Sequence, residues 1–395
     1  MKNSSFIQRF AEPALLQLAG SFPVVVVTGP RQSGKTTLVR HSFPGKPYAN
    51  LEELDIRTLA EEDPRGFLEG YPDGAVFDEV QRTPHLLSYI QGRVDETRTP
   101  GMYILTGSQQ FNLLSGVTQS LAGRSALLPL LPFSFAELAH TDRAPKTPEE
   151  AIFKGGYPPL FSQEIDTSVW LGNYARTYIE RDVRSIVNVR DLSQFRNFVK
   201  LCAGRTGQTL NLSSLASDCG ISHNTARSWI SILETAYIIT LLPPYYKNFN
   251  KRIVKSPKLH FIDTGLAAWI LGIQSADQVN SHPLRGPLFE SYVVSQLLKK
   301  RFSLAKESNL YYWRDSHGVE IDILIEQGDK LIPVEVKSGK TFSPDFLKPL
   351  QKWLNYAENE AGECMLVYAG EKELKTHGCR VIPWDSIHDS LPPGL

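Results

Sequence analysis

The chain has 395 residues, 42% of them apolar and 21% charged, with 42 basic residues against 42 acidic ones and no formal net charge. That balance excludes a disordered or fibrous chain and a uniformly basic polyanion binder, so any nucleic-acid signal must come from local asymmetry. The length exceeds one ordinary hydrophobic core and predicts two or three domains.

Residues 1–20 read as a helix with Phe6, Ile7, Phe10, Leu15, Leu16 and Leu18 as its apolar positions, interrupted at Pro13. FPVVVV then switches to a continuous β-branched run, the pattern of a strand buried on both faces of a parallel sheet. Next comes Gly29-Pro30-Arg31-Gln32-Ser33-Gly34-Lys35-Thr36, which matches G-x-x-x-x-G-K-[ST] and runs into a helix that begins at Thr36, Thr37 and Leu38. Backbone N–H groups of such a loop cradle phosphates, Lys35 is expected to reach the β- and γ-phosphates, and the Thr36 hydroxyl to ligate Mg²⁺. AVFDEV at 75–80 is an apolar strand ending in two acids. Asp78 is the expected Mg²⁺ ligand and Glu79 the residue that polarises the attacking water, the alternative being solvated acids at an exposed strand end. MYILTGS at 102–108 places Thr106 and Ser108 at a neighbouring strand tip, where they can sense the γ-phosphate. Arg124 in SLAGRS is a candidate arginine finger or, equally, a surface arginine after a glycine turn. These strands, with SALLPLLPF at 125–133 and intervening helices such as one over Thr83–Val94, predict a parallel sheet with helices on both faces.

The polar segment 140–150 marks a domain boundary, and residues 151–270 read as mostly helical. Within them, Leu212–Ile230 has the shape of a helix-turn-helix: a short capped helix, a glycine turn at Gly220, then a helix led by polar residues. His223, Asn224, Arg227 and Ser228 are its candidate groove-facing side chains. YIITLLPPY follows as a strand, and Tyr245–His260 carries five basic residues and no acid, as a wing would. Over 170–260 there are 13 Lys or Arg against 5 Asp or Glu, an electrostatic footprint for DNA. Lid or docking modules of the same shape are the alternative.

After a linker at 274–287 come a helix over 288–300, the strands YYWR, VEIDILIE and LIPVEVK, a helix near 344–358 and a last strand, CMLVYAG. The turn at 327–330 makes a hairpin of the second and third strands. If Glu326 pairs with Leu331, then Asp322 faces Glu335, Glu320 faces Lys337, and all four share one face. Opposed carboxylates are destabilising without an intervening positive charge, which a divalent cation beside Lys337 would supply; Mg²⁺ or Mn²⁺ suits hard oxygen ligands. A half-exposed hairpin with solvated charges is the alternative, and Pro333 marks an edge or bulge that weakens the register. Glu290, in the first turn after Pro287, completes the cluster or complements the helix dipole.

Cys202, Cys219, Cys364 and Cys379 lie far apart without metal-like spacing, so no disulfide framework is inferred. The amino terminus lacks the apolar core of a signal peptide, and VVVV and LLPLLPF are too short to span a bilayer. A cytoplasmic protein without a membrane partner is expected.

The stretches GPRQSGKTTL, VFDEVQ, ILTGSQQF, SLAGR, YIERDV, KSPKLHFIDTGLA, GPLFESYVV, EIDILIE and IPVEVKSGK resemble, along nearly the whole chain, a prokaryotic family of AAA-type P-loop ATPases with a C-terminal PD-(D/E)xK nuclease-like domain. The resemblance implies an α/β P-loop ATPase domain over 1–145, a helical and winged-helix region over 146–275 and a restriction-endonuclease-like α/β domain over 276–395. It implies ATP and Mg²⁺ at residues 29–36 and Asp78, with hydrolysis through Glu79. It also implies that Glu290, Asp322, Glu335 and Lys337 occupy the acid and lysine positions of a nuclease-like core, although Ile321 stands where the proline of the pattern belongs. The expected activity is Mg-dependent ATP hydrolysis coupled to DNA binding or to metal-dependent cleavage. A nucleotide-dependent switch or scaffold that binds without cutting is the alternative. An Arg124 acting in trans would require a homo-oligomer. Arg181, Asp182, Asp263 and Thr264 lie in the resembling stretches without an assigned chemistry.

Overall fold

The computed structural model describes residues 6–108, 121–183, 192–245, 256–315, 318–357 and 361–391. The described residues form two compact units: one comprises residues up to Phe133 with 235–237 and 301–307, and the other comprises the rest.

The first unit is built on five parallel strands, β1 Val24–Thr28, β2 Tyr48–Asn50, β3 Ala75–Asp78, β4 Tyr103–Gly107 and β5 Ser125–Pro129, in the order β2-β3-β4-β1-β5. The valine run explains why β1 is central. Val24 and Val26 pack with Phe77, Leu86, Ile90 and Val94 on one face, while Val25 and Val27 pack with Leu15, Leu38 and Val39 on the other. Each valine so buried contributes about 1.5–3 kcal/mol relative to leaving it in water. Helices therefore cover both faces, as expected. Pro13 does not interrupt the first helix: it lies in the opening turn of Glu12–Ala19, where a missing N–H costs nothing. The strand expected over 125–133 stops at Pro129.

In the second unit, β6 Gln208–Thr209, β7 Ile239–Leu242 and β8 Lys258–Phe261 form an antiparallel sheet in the order β6-β8-β7. Between β6 and β7 stand the helices Leu212–Cys219 and His223–Thr235, joined through Gly220 at φ 68°. Asn211 and Ser222 accept the first-turn amides that start the two helices. Residues 246–255, most of the expected wing, lie outside the described residues.

A six-stranded mixed sheet follows in the same unit, made of β9 Leu310–Arg314, β10 Glu320–Gln327, β11 Lys330–Lys337, β12 Cys364–Tyr368, β13 Leu374–Thr376 and β14 Cys379–Pro383, in the order β13-β14-β12-β11-β10-β9. The helix Lys348–Ala357 covers one face through Leu350 and Trp353, against Trp313, Ile321, Leu324 and Val381. The β10–β11 hairpin keeps the expected register from Gln327↔Lys330 to Ile323↔Val334. Pro333 sits in a central strand, and the irregularity falls on the other side, between β10 and β9 near Ile321 and Leu324.

Two expectations fail here. CMLVYAG is not the last strand, because β13 and β14 return beside it. The cysteines are not all free: Cys364 and Cys379 face each other across β12 and β14 and are disulfide-bonded, a pairing that strand register creates and sequence spacing conceals.

Candidate functional site

The phosphate loop leaves the carboxyl end of β1 and enters the helix Lys35–Ser42. Gly29 has φ 146°, and a Cβ there would stand 2.2 Å from the Leu130 carbonyl oxygen; Gly34 has φ 92°, so both positions demand glycine. Lys35 is buried, its Nζ donating to the carbonyls of Gly29 (3.1 Å) and Pro30 (2.8 Å). Burial lowers its pKa to about 8 against the opposing charges of Glu79 and Asp78. Ser33 Oγ is buried without a hydrogen-bond partner among the described residues. Arg31 is partly buried; Gln32 on the loop and Thr37 in the first turn of the helix are exposed.

The strand order decides what surrounds Asp78. Because β4 lies between β1 and β3, Thr106 at its tip donates to Asp78 Oδ1. Thr36 Oγ1 donates to Asp78 Oδ2 at 2.8 Å, and Tyr48 Oη to the same oxygen at 2.7 Å. Thr36 and Asp78, two hard-oxygen donors already in contact, fit the Mg²⁺ that accompanies a nucleotide. Glu79 follows at φ 56°, its carboxylate receiving Ser108 Oγ (3.0 Å) and the Gln81 amide on Oε2. Ser108 is thus a partner of Glu79.

Arg9, Tyr48, Gln81 and Tyr237 were not anticipated. The buried Arg9 guanidinium donates to the Ser33 carbonyl (2.7 Å) and the Leu131 carbonyl (2.6 Å) and lies over the Phe133 ring. The Tyr237 hydroxyl is 2.9 Å from Thr28 Oγ1, one residue before the loop. Only Gln81 had a visible signal, its place in VFDEVQ.

Arg124 is not brought to the phosphate loop. Its carbonyl accepts from Val24 N at the amino-terminal edge of the sheet, while the loop leaves the carboxyl edge, about 15 Å away at the ordinary strand rise. Its guanidinium grips the Asp95 carboxylate, with Nη2 to Oδ2 at 2.9 Å. A finger role within its own subunit is thereby corrected.

The carboxylates of the second unit converge, but around a lysine. Lys258, only 3% exposed, places Nζ 2.8 Å from Glu290 Oε1, 2.5 Å from Glu320 Oε1 and 3.8 Å from Asp322 Oδ1. Burial alone would lower its pKa; the charges of Glu290, Asp322 and Glu320 hold it well above the ordinary lysine value instead. Glu290 belongs to the helix Arg285–Ser303, so it lies in the second turn and not the first, which weakens the dipole reading. Burial raises its pKa, the charge of Asp322 adds to the shift, and Lys258 opposes it. Asp322 does not pair with Glu335 in the ladder: its Oδ2 accepts from Val336 N at 2.8 Å. Glu335 is buried, its Oε1 bonded to Lys337 Nζ and its Oε2 without a hydrogen-bond partner among the described residues. Its pKa also rises, through burial and then Asp322, with Lys337 opposing.

Among the described residues, no group of three or more His, Cys, Asp or Glu side chains is arranged to hold a metal ion. An ammonium group among these acids does not fit the expected Mg²⁺ or Mn²⁺ there. It also removes Lys258 from the basic face counted as DNA-binding.

His223, Asn224, Arg227 and Ser228 are all exposed on the second helix of the helix-turn-helix, while Ala226, Trp229 and Ile230 are buried beneath. Asp263 is structural: it caps the helix Thr264–Ile270 through Leu266 N (3.0 Å) and receives Gly156 N (2.8 Å). The side chains of Arg181 and Asp182 lie outside the described residues. Among the described residues no helix is long and apolar enough to cross a membrane.

The parallel five-stranded sheet, the glycine loop and the paired acids at the tip of β3 define the class, an AAA-type P-loop ATPase. Residues 21–139 match the family model described as an AAA domain, and 145–277 and 285–387 match two domains of unknown function, DUF8612 and DUF4143. The chain belongs to the family of the uncharacterized protein Rv2008c of Mycobacterium tuberculosis (strain ATCC 25618 / H37Rv). The two are 30% identical over 371 residues, 92% of this chain and 81% of the relative. The uncharacterized protein Mb2031c of Mycobacterium bovis (strain ATCC BAA-935 / AF2122/97) gives the same figures. Among solved structures, the Walker-type ATPase PABY2304 of Pyrococcus abyssi is similar at 16% identity over 68% of this chain and 97% of that one, with a TM-score of 0.43. AMPPCP-bound DnaA from Aquifex aeolicus is similar at 15% identity over 57% and 85%, with a TM-score of 0.29. Overlaps below 0.5 carry no function across.

Proposed function

We propose that this protein hydrolyses Mg-ATP at residues 29–37 and uses the cycle to control a DNA-binding helix-turn-helix and a nuclease-like C-terminal domain. The observation that supports hydrolysis is Glu79, placed next to Asp78 by β3 and oriented by Ser108 and Gln81. A carboxylate so held can accept a proton from water attacking the γ-phosphate. Lys35 and the loop amides hold the phosphates, while Thr36 and Asp78 hold the metal that neutralises them. ATP turnover by the purified chain is the test. Lys35→Ala should abolish nucleotide binding and Glu79→Gln should keep binding and lose turnover; turnover retained by either variant overturns the assignment.

The solvent-facing His223, Asn224, Arg227 and Ser228 support DNA as the macromolecular partner, read in a groove by the second helix of a winged-helix fold. Affinity for duplex DNA should fall steeply between low and moderate salt, and a flat response overturns phosphate contact. Arg124, remote from its own loop, is proposed to act in trans in an ATP-dependent homo-oligomer, which a mass measurement with and without ATP decides. The three-part division at 145 and 275 belongs to the same reading.

A PD-(D/E)xK-like site at Glu290, Asp322, Glu335 and Lys337 is the second reading, favoured by the convergence of these residues and by the bare oxygen of Glu335. With Lys258 among the acids, the arrangement supports a switch domain that does not cut in this state. Incubating duplex, branched and single-stranded DNA with Mg²⁺ or Mn²⁺, for wild type and Asp322→Ala, tests cutting directly.

A further inference from the structure

The acids expected to hold a metal already hold a cation, and it comes from a different sheet. Lys258 opens β8, yet its ammonium contacts Glu290 from the helix Arg285–Ser303 and both Glu320 and Asp322 from β10. Tyr312 lies beneath it, with the ring centroid 5.5 Å from Nζ. The remaining charges are arranged around this core: Arg314 pairs with the second oxygen of Glu320, and Lys337 with Glu335. Among the described residues four carboxyl groups are thus met by three cationic side chains, and loss of Lys258 leaves Glu290 and Asp322 without the lysine they share.

Two buried polar atoms point to a ligand the present contacts do not satisfy. Glu335 Oε2 has no hydrogen-bond partner among the described residues, and neither has His260 Nε2, which stands 3.9 Å from Glu290 Oε1. The other ring nitrogen of His260 is tied to Ser291 at 3.0 Å, so the imidazole is fixed facing the acids. A divalent ion bound to Glu290 and Asp322 would lie about 2.1 Å from their oxygens. Nζ of Lys258 already sits within hydrogen-bond distance of the same Glu290 oxygen, and two cations so close repel one another strongly.

We propose that Lys258 is a built-in counter-cation that excludes a divalent metal from Glu290, Asp322 and Glu335, so that metal enters only when the lysine withdraws or is removed. The proposal rests on the nuclease-like reading of these acids, and it makes the contact between β8 and the acid cluster an autoinhibitory one.

The test is Mn²⁺ binding to the full, nucleotide-free chain after chelator treatment, followed by electron paramagnetic resonance of the free ion. Wild type should show no Asp322-dependent binding at micromolar Mn²⁺. Lys258→Gln should bind at least tenfold more tightly than wild type, and Lys258→Gln/Asp322→Ala should lose the gain. Lys258→Arg, which keeps the charge, should stay excluded. If Lys258→Gln does not fold, Lys258→Met/Glu320→Gln removes the ammonium together with one of its acids and must show the same gain. Asp322-dependent wild-type binding as tight as the variant's, or no gain in a folded variant, overturns the proposal. DNA cleavage separates the two readings: tight Mn²⁺ binding by Lys258→Gln without cutting sustains the exclusion and sinks the nuclease. Cutting by wild type with full Mn²⁺ affinity does the reverse.

Discussion

The guanidinium of Arg9 donates to the carbonyl of Ser33 at 2.7 Å, so a residue from before the first described helix braces the phosphate loop from behind. Its second bond, to Leu131, ties the same group to the chain beyond β5. Arg9→Met removes both donors and leaves two carbonyls unpaired. A loss of about 2–4 kcal/mol is expected in denaturant unfolding of the first unit, at about 1–3 kcal/mol for each unsatisfied group with part of it recovered by water. ATP should also bind several-fold more weakly, and unchanged affinity would separate the brace from the site.

Thr106 is the donor that β4 supplies to Asp78. Thr106→Val keeps shape and burial but removes that bond and also the acceptor of Glu79 N (3.3 Å), while Thr36 and Tyr48 still hold the other oxygen of Asp78. Steady-state ATPase should show a fall in turnover of roughly 10-fold or more, the equivalent of a bond to a charged group. Full turnover would mean that Asp78 and Glu79 are positioned without Thr106.

Lys35 titrates near pH 8 because burial disfavours its charge. At pH 8.5 most of the nucleotide-free protein carries a neutral Lys35, whereas bound triphosphate favours the ammonium. ATP binding at pH 8.5 should therefore take up a proton, and affinity should decline as pH rises from 7 to 9.5. Calorimetry in two buffers of different ionisation enthalpy measures the uptake. At pH 6.5, where Lys35 is protonated in both states, its contribution to the buffer dependence should vanish, leaving only proton exchange by the terminal phosphate of the nucleotide.

Gly155 has φ 66°, and a Cβ there would fall 2.2 Å from Asp263 Oδ1. Gly220, at φ 68° and ψ 34°, is in the ordinary left-handed conformation with nothing within 4 Å of its Cβ position, whereas Gly155, at ψ -155°, is also in a backbone region essentially restricted to glycine. Gly155→Ala should thus destabilise the second unit by ~3 kcal/mol or more, and Gly220→Ala by only ~1 kcal/mol, the backbone cost alone. Comparable losses in chemical denaturation would refute both the steric role of Asp263 and the backbone demand at Gly155.

The Cys364–Cys379 bridge closes a loop with a sequence separation of 15 residues. A loop of that size restricts the unfolded chain by about 3 kcal/mol. Reductant should lower the unfolding midpoint of wild type and leave that of Cys364→Ser/Cys379→Ser unchanged. Equal midpoints with and without reductant in wild type would count against the bridge.

Much of this was legible in the residues. The valine run, the glycine loop and the acids after VF are local patterns, and each forms where its period and its backbone demand. The β10–β11 register was legible as well, because a two-residue turn and alternating isoleucines leave little freedom from Gln327 back to Ile323. The pattern gave out where the partner is distant in sequence. Arg124 looks like a finger for its own phosphate loop only while its depth in the sheet is unknown, and Cys364 looks unpaired only until β14 lies beside β12.

Local chemistry alone thus determined that this chain carries a phosphate loop followed by Asp78 and Glu79, and raised the expectation that three acids and a lysine share one face of a hairpin, to which the family resemblance added Glu290. Which cation those acids meet was a matter for the tertiary structure. Lys258 lies 32 residues before Glu290 and 64 before Asp322 in sequence, and reads there as one more basic residue of a wing. Only the approach of β8 to the acid cluster turns it inward, because buried carboxyl groups stay ionised only with a counter-charge at contact distance.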